Sequence, residues 1–215
     1  MPLTVFVAGS TGYLGRHAIP VLLERGHRVV ALARKGSESK APRGSEVVVG
    51  EPFDRRTFVN AITAGDTFLQ LVGVSHPSPA KAQQFLDIDL RSARESIAAA
   101  RAAAVAHFVY VSVAQPAPVM RAYQAARRQA EEALASSALR HTILRPWYVL
   151  GPEHRWPQVL IPMYWLLERL PVTRDTARRL GLVTLTQMVG AIVHAIEHPP
   201  ERARIVEVPE IKTAG

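Results

Sequence analysis

Cysteine is absent from this 215-residue chain, which excludes disulfides, thiol nucleophiles and thiolate metal sites and fits a reducing, cytoplasmic compartment. Long apolar runs are missing too. The most apolar late stretch, residues 156 to 167, falls short of the roughly 20 residues a membrane helix needs and is broken by Pro157 and Pro162. No transmembrane segment is expected; the stretch reads as a helix near 159 to 169 whose apolar face covers the core. Met1-Pro2-Leu3 runs straight into an apolar strand pattern, so no secretory signal is expected. Acidic residues are the scarcer charge, 18 against 26 basic, for a formal net charge of +8. The arginines are scattered as singles and pairs (Arg55-Arg56, Arg127-Arg128, Arg178-Arg179), with no basic run interleaved with aromatics. That distribution argues against a nucleic-acid partner and suits a surface that attracts a small anion. Internal repeats and low-complexity tracts are also lacking.

What is present is concentrated near the start. The apolar run from Leu3 to Ala8 ends in Gly9-Ser10-Thr11-Gly12-Tyr13-Leu14-Gly15, which opens a helical pattern. A buried strand ending in a glycine-rich turn lets backbone N–H groups approach a diphosphate, while the next helix aims its positive end at the same anion. Gly9 is expected to make the tight turn, Gly12 to leave room for the pyrophosphate, and Gly15 to let the helix pack closely. The helix carries Leu14, Ala18, Val21 and Leu22, ends at Gly26, and leads into a second apolar strand, completing a βαβ unit. An NAD-selective site places Asp or Glu about twenty residues past the turn, for the ribose 2′-OH. Here Arg34 and Lys35 stand at that point, which suits a 2′-phosphate and predicts NADP(H) as cofactor.

Strand and helix patterns alternate along nearly the whole chain. They predict an α/β fold: a Rossmann-type, doubly wound parallel sheet of about seven strands with helices on both faces, in one domain spanning residues 1–215. Strands are expected at 3 to 8, 28 to 33, 46 to 49, 67 to 72, 107 to 112, 140 to 145 and 203 to 208. Helices are expected at 13 to 25, 80 to 104, 119 to 137 and 186 to 197, with a shorter one near 55 to 63. Ligands of such sheets sit outside the carboxyl ends of the strands. That rule selects Glu51 after the third strand, Val72, Gly73 and Val74 after the fourth, Ser112 after the fifth, and Pro146, Trp147 and Tyr148 after the sixth. No metal site is expected, since His194 and His198 lack a third ligand and Asp87 and Asp89 face different sides of their helix.

Ser112 closes the fifth strand; eleven residues on, Tyr123 lies on the next helix with Arg127 at i+4, facing the same way. With the glycine turn, Phe108-Val109-Tyr110-Val111-Ser112, Tyr123-Gln124-Ala125-Ala126-Arg127 and Leu144 to Pro152, the chain resembles the extended and atypical short-chain dehydrogenase/reductase superfamily, of the NmrA-like or epimerase-like kind. The resemblance implies that Ser112 positions a substrate oxygen and Tyr123 passes a proton. The family's lysine, four residues on, lowers the tyrosine pKa and holds the nicotinamide ribose; Arg127 stands in its place. Two further departures are Asp87-Ile88-Asp89 where relatives often carry an asparagine, and Glu51-Pro52 where they commonly have an aspartate and an apolar residue.

The implied function is an NADPH-dependent oxidoreductase acting on a small carbonyl, hydroxyl or quinone-like compound. The alternative is a non-catalytic NADPH-binding regulator or assembly factor. The substrate side is expected in about 151–185. It is apolar and aromatic through Trp147, Tyr148, Trp156, Tyr164 and Trp165. A homodimer through helices 80–104 and 119–137 is the expected assembly, with Ala98, Ala99, Ala100, Ala102, Ala103 and Ala104 permitting close approach.

Overall fold

The computed structural model describes residues 2–117, 119–152 and 180–214. The expected helix 159 to 169, with Trp156, Tyr164 and Trp165, lies outside them. The strands are β1 (Thr4–Ala8), β2 (Arg28–Ala33), β3 (Glu46–Val49), β4 (Thr67–Gln70), β5 (His107–Val111), β6 (His141–Arg145), β7 (Tyr148–Leu150), β8 (Leu182–Thr184) and β9 (Ala203–Glu207). Seven form one sheet in the order β3-β2-β1-β4-β5-β6-β9, every pair parallel. Central β1 sets Val5 against both Val29 of β2 and Thr67 of β4.

Side chains alternate across a strand, so β1 feeds two cores. Val5 and Val7 face α1 (Tyr13–Glu24), α5 (Leu185–Glu197) and α6 (Val208–Thr213), packing with Ile19, Leu22, Met188, Ile192 and Ile211. Phe6 and Ala8 face the opposite layer, where α3 (Arg91–Ala102) and α4 (Arg121–Ala135) contribute Ile97, Ala126, Ala130 and Leu134. Three phenylalanines span that face: Phe6 to Phe68 at 5.2 Å and Phe68 to Phe108 at 5.1 Å between ring centroids. Helices thus cover both faces, as the sequence predicts.

Four local features depart from expectation. The helix expected at 55 to 63 is two 3-10 turns, Arg55–Thr57 and Val59–Ala61. There the Asp54 carboxylate accepts from Arg56 N–H at 3.1 Å and Thr57 Oγ1 donates to Asp54 O at 2.7 Å, so side chains take up the backbone groups a helix would use. The helix expected over 80 to 104 is interrupted. It runs as a 3-10 turn (Pro79–Lys81), the short α2 (Ala82–Gln84), a wide π turn (Phe85–Leu90) and then α3. Strands β7 and β8, unforeseen, pair parallel beside the main sheet. The last strand stops at Glu207 because Glu207 and Glu210 form a capping box that starts α6.

Candidate active site

The turn after β1 shows three different reasons for glycine. Gly9 sits at φ +90°, and a Cβ there would lie 2.8 Å from the Leu71 carbonyl carbon and 2.9 Å from Val72 N, where the end of β4 passes close by. A Cβ on Gly15 would strike the carbonyls of Gly9 and Ser10, so its absence lets α1 start against the turn. Gly12 is different. It is exposed, its backbone is extended, and a Cβ would meet only Gly9 O at 3.2 Å. Among the described residues the turn asks less for glycine here than at Gly9 or Gly15, since only the Gly9 carbonyl would have to give slightly, whereas a diphosphate laid on the turn would need the space. Helix α1 begins here with no side-chain cap and no acidic residue in its first turn, leaving its positive end toward the cleft. Ser10 pins the turn to β2 by donating to Leu32 O at 2.7 Å.

The turn forms one wall of a cleft of about 310 Å³ at the carboxyl ends of the central strands. Gly9, Thr11, Gly12 and Arg34 line it with Pro52, Phe53, Leu71, Val72, Gly73 and Ile88. Six of the residues selected from sequence therefore meet in one place. Lys35 and Glu51 are exposed and are not among the residues lining it; the side after β3 is built by Pro52 and Phe53 instead. Tyr13, Leu14 and Gly15 form the first turn of α1, and Tyr13 packs under Gly151, where any side chain would collide with its hydroxyl.

The other end of the site gathers around Arg127, which is 6% exposed. Its Nη1 donates to Val111 O at 2.8 Å and to the Tyr110 hydroxyl at 3.2 Å, and its Nη2 forms an ion pair with Asp89 Oδ1 at 2.6 Å. The guanidinium carbon lies 5.2 Å from the centroid of the Tyr123 ring, which itself packs on Phe85 at 4.9 Å. The second carboxylate oxygen of Asp89 accepts from Val74 N–H at 3.1 Å, tying the loop after β4 to the same cluster. Gly73 has to be small, since a Cβ would run into Arg127 and lie 3.0 Å from Asp89 Oδ1. Burial pushes the Tyr123 phenol above its usual range, and Arg127 only partly pulls it back. Burial likewise carries Tyr110 up to about 12. Ser112 is 4% exposed, with a buried Oγ that has no hydrogen-bond partner among the described residues.

Of the residues after β6, Pro146 is buried and its carbonyl accepts from Ala114 N–H at 2.9 Å, Trp147 packs on the α1 side of the core, and Tyr148 starts β7. Asp89 was not selected from sequence as part of the site. Its signal was there: Phe85, Asp89, Ala93 and Ile97 recur every four residues and all are buried, and a carboxylate on an apolar stripe calls for a cationic partner.

A glycine turn opening onto the cleft and a helix that starts there without a side-chain cap together fit a dinucleotide. A family model described as NAD(P)H-binding matches residues 9–158. The chain belongs to this NAD(P)H-binding family. The chloroplastic divinyl chlorophyllide a 8-vinyl-reductase of Zea mays is 30% identical over 160 residues, 66% of this chain and 39% of that protein. Ceramide reductase of Caulobacter vibrioides is 27% identical over 176 residues, 81% of this chain and 55% of the relative. The chain thus spans less than two thirds of the length of either. Among solved structures, the Bordetella bronchiseptica enzyme WbmH in complex with NAD+ shares the fold with a TM-score of 0.69 at 20% identity, covering 94% of this chain and 75% of its own. A UDP-galactose 4-epimerase gives 0.71 at 19% identity, covering 95% and 77%. The expected NAD(P)-binding family is thus borne out, the Rossmann-type fold is shared with these structures, and a nicotinamide cofactor goes with the family.

Proposed function

We propose that this chain is the NADPH-binding catalytic unit of a cytoplasmic oxidoreductase that reduces a small carbonyl or quinone-like compound, or oxidises the matching hydroxyl. The observation that carries the reading is Arg34 on the wall of the cleft that Gly9 and Gly12 open. Gly12 and the start of α1 take the diphosphate, while the planar guanidinium of Arg34 takes the 2′-phosphate, with Lys35 adding charge nearby. When bound, NADPH supplies the hydride. Ser112 Oγ donates to the substrate oxygen and Tyr123 passes it the proton. Trp147 and Tyr148 begin an apolar, aromatic substrate side that continues through about 151–185, within a single domain of residues 1–215. The relatives named above are reductases, which supports the reductive direction. The outer faces of α3 and α4 form the homodimer contact of this reading, although Ala99 and Ala100 turn inward to the sheet and cannot take part. A monomeric mass by light scattering at micromolar concentration counts against that contact.

Titration with NADPH and NADH tests the cofactor. Arg34→Ala weakens NADPH at least about tenfold and NADH little, as expected for loss of a charge-assisted phosphate contact; equal losses, or a wild type preferring NADH, remove the reading. A second reading, a nucleotide-dependent regulator, is favoured by one observation: Arg127 is held by Asp89 and cannot relay protons as a lysine can. Single-turnover oxidation of NADPH over a panel of carbonyls and quinones separates the two. An enzyme consumes the nucleotide and loses about a hundredfold or more in rate on Tyr123→Phe; a regulator leaves NADPH intact throughout.

A further inference from the structure

We propose that Asp89 is a positioning residue of this site: it holds Arg127 as a charge-neutral pair, so that Tyr123 works as a protonated phenol and not as a phenolate. The inference rests on the reading of Tyr123 as proton donor, and it concerns what the neighbours of that phenol are built to do. Among the described residues, three titratable or charged groups face Tyr123: Arg127 from its own helix, Asp89 from the π turn and Tyr110 from β5. Phe85, which packs on its ring, is apolar.

An arginine over the ring, acting alone, would favour the phenolate by about one to three pH units. A carboxylate 2.6 Å from that guanidinium turns a single charge into a dipole, whose field at Tyr123 falls away much faster with distance. The balance of the site agrees in direction, since burial raises the phenol despite the nearby cation and the Asp89 carboxylate adds to the rise.

Asp89 has no freedom to leave this arrangement. Its side chain is fully buried, one oxygen is on Arg127 and the other on Val74 N–H. The wide turn over Phe85–Leu90 keeps Phe85 and Asp89 both directed inward, and its Asp89 carbonyl accepts from Ser92 Oγ at 3.2 Å. Ser92 also accepts from Gln70 at the end of β4 at 3.2 Å, so a buried polar chain fixes the turn on the sheet. Arg127 is equally committed, to Val111 O and Tyr110.

The test is a titration of Tyr123 in the full-length chain, read as the ultraviolet absorbance of its phenolate, with Tyr123→Phe made in each background to subtract the other tyrosines. Asp89→Asn leaves the arginine uncompensated and raises the ionisation constant of Tyr123 at least about tenfold. Arg127→Met leaves the carboxylate alone and lowers it. The double variant, with both charges gone, returns to within about threefold of wild type, because the pair and its absence look alike from Tyr123. Should Asp89→Asn fail to fold by circular dichroism, Arg127→Met and the double variant carry the same comparison. A Tyr123 titration unmoved by these changes overturns the proposal. Turnover plays no part in the measurement: a chain that oxidised no NADPH would sink the proposed reaction and leave this result standing.

Discussion

Gly12 and Arg34 both line the cleft, one offering space and the other a positive charge. Gly9 and Gly15 are different, because neighbouring backbone already forbids a side chain there. Gly12→Val should therefore separate binding from folding: the valine methyls enter the space of the diphosphate, while the turn meets the new Cβ only at the Gly9 carbonyl, 3.2 Å away, which has to give by a few tenths of an ångström. Nucleotide affinity is expected to fall below detection with a melting temperature near that of wild type. Retained NADPH binding in a fluorescence titration would remove the cradle from the site. Arg145, by contrast, serves the frame: it joins Glu131 of α4 at 2.5 Å and Glu207 of β9 at 3.0 Å, fixing the strand end from which Pro146 and Trp147 emerge.

At the scale of elements, β5 and β6 carry a built-in pH dependence. His107, 1% exposed, contacts Thr142 Oγ1 at 3.0 Å across the two strands, and burial pushes its imidazole down to about 4. A folded value below the unfolded 6.5 means the native state takes the neutral ring. Its contribution is whole above pH 6.5 and is lost as pH falls toward 4, on the order of 3 kcal/mol in all. His107→Leu should flatten the fall of unfolding free energy over that interval in urea titrations; an unchanged slope would assign it to other groups.

The seven main strands were legible because each carries a short apolar run bounded by turn residues, buried in the five inner strands and largely exposed in the edge strands β3 and β9, and β1, β2 and β3 match their expected ends to within a residue. Gly26, at φ +84° with its N–H on Leu23 O, ends α1 as the glycine signal predicts. The π turn was not legible, since one extra residue in a helix leaves the apolar pattern nearly intact while redirecting Asp89. Nor were β7 and β8, three residues each and thirty-odd apart, whose pairing depends on tertiary context. At the site, the glycine turn and Arg34 were legible from spacing; the Arg127–Asp89 pair, 38 positions apart in sequence, needed the fold to bring it together.

For the whole molecule, the cleft lies where the strand order reverses, between β1 and β4, so the nucleotide reading and the sheet topology support one another. Among the described residues no helix is long and apolar enough to cross a membrane. The two cores flanking the sheet differ in how much chain they need. Among the described residues, the buried ones of the α3–α4 side run from Phe6 to Ile143, whereas those of the α1 side run from Val5 to Ile211. On a ribosome this difference becomes an order of events. One face of the sheet can close while the other still waits for α5 and α6, with Val5, Val7 and Ile19 short of their cover. A chain released after Leu150 should accordingly bind a hydrophobic dye and fail to hold NADPH, whereas the full chain does the reverse; a cooperative melt without dye binding in the shorter chain would contradict this. The nucleotide turn, though near the start of the sequence, is then among the last parts of the molecule to become rigid, because the helix that anchors it leans on residues synthesised some 170 positions later.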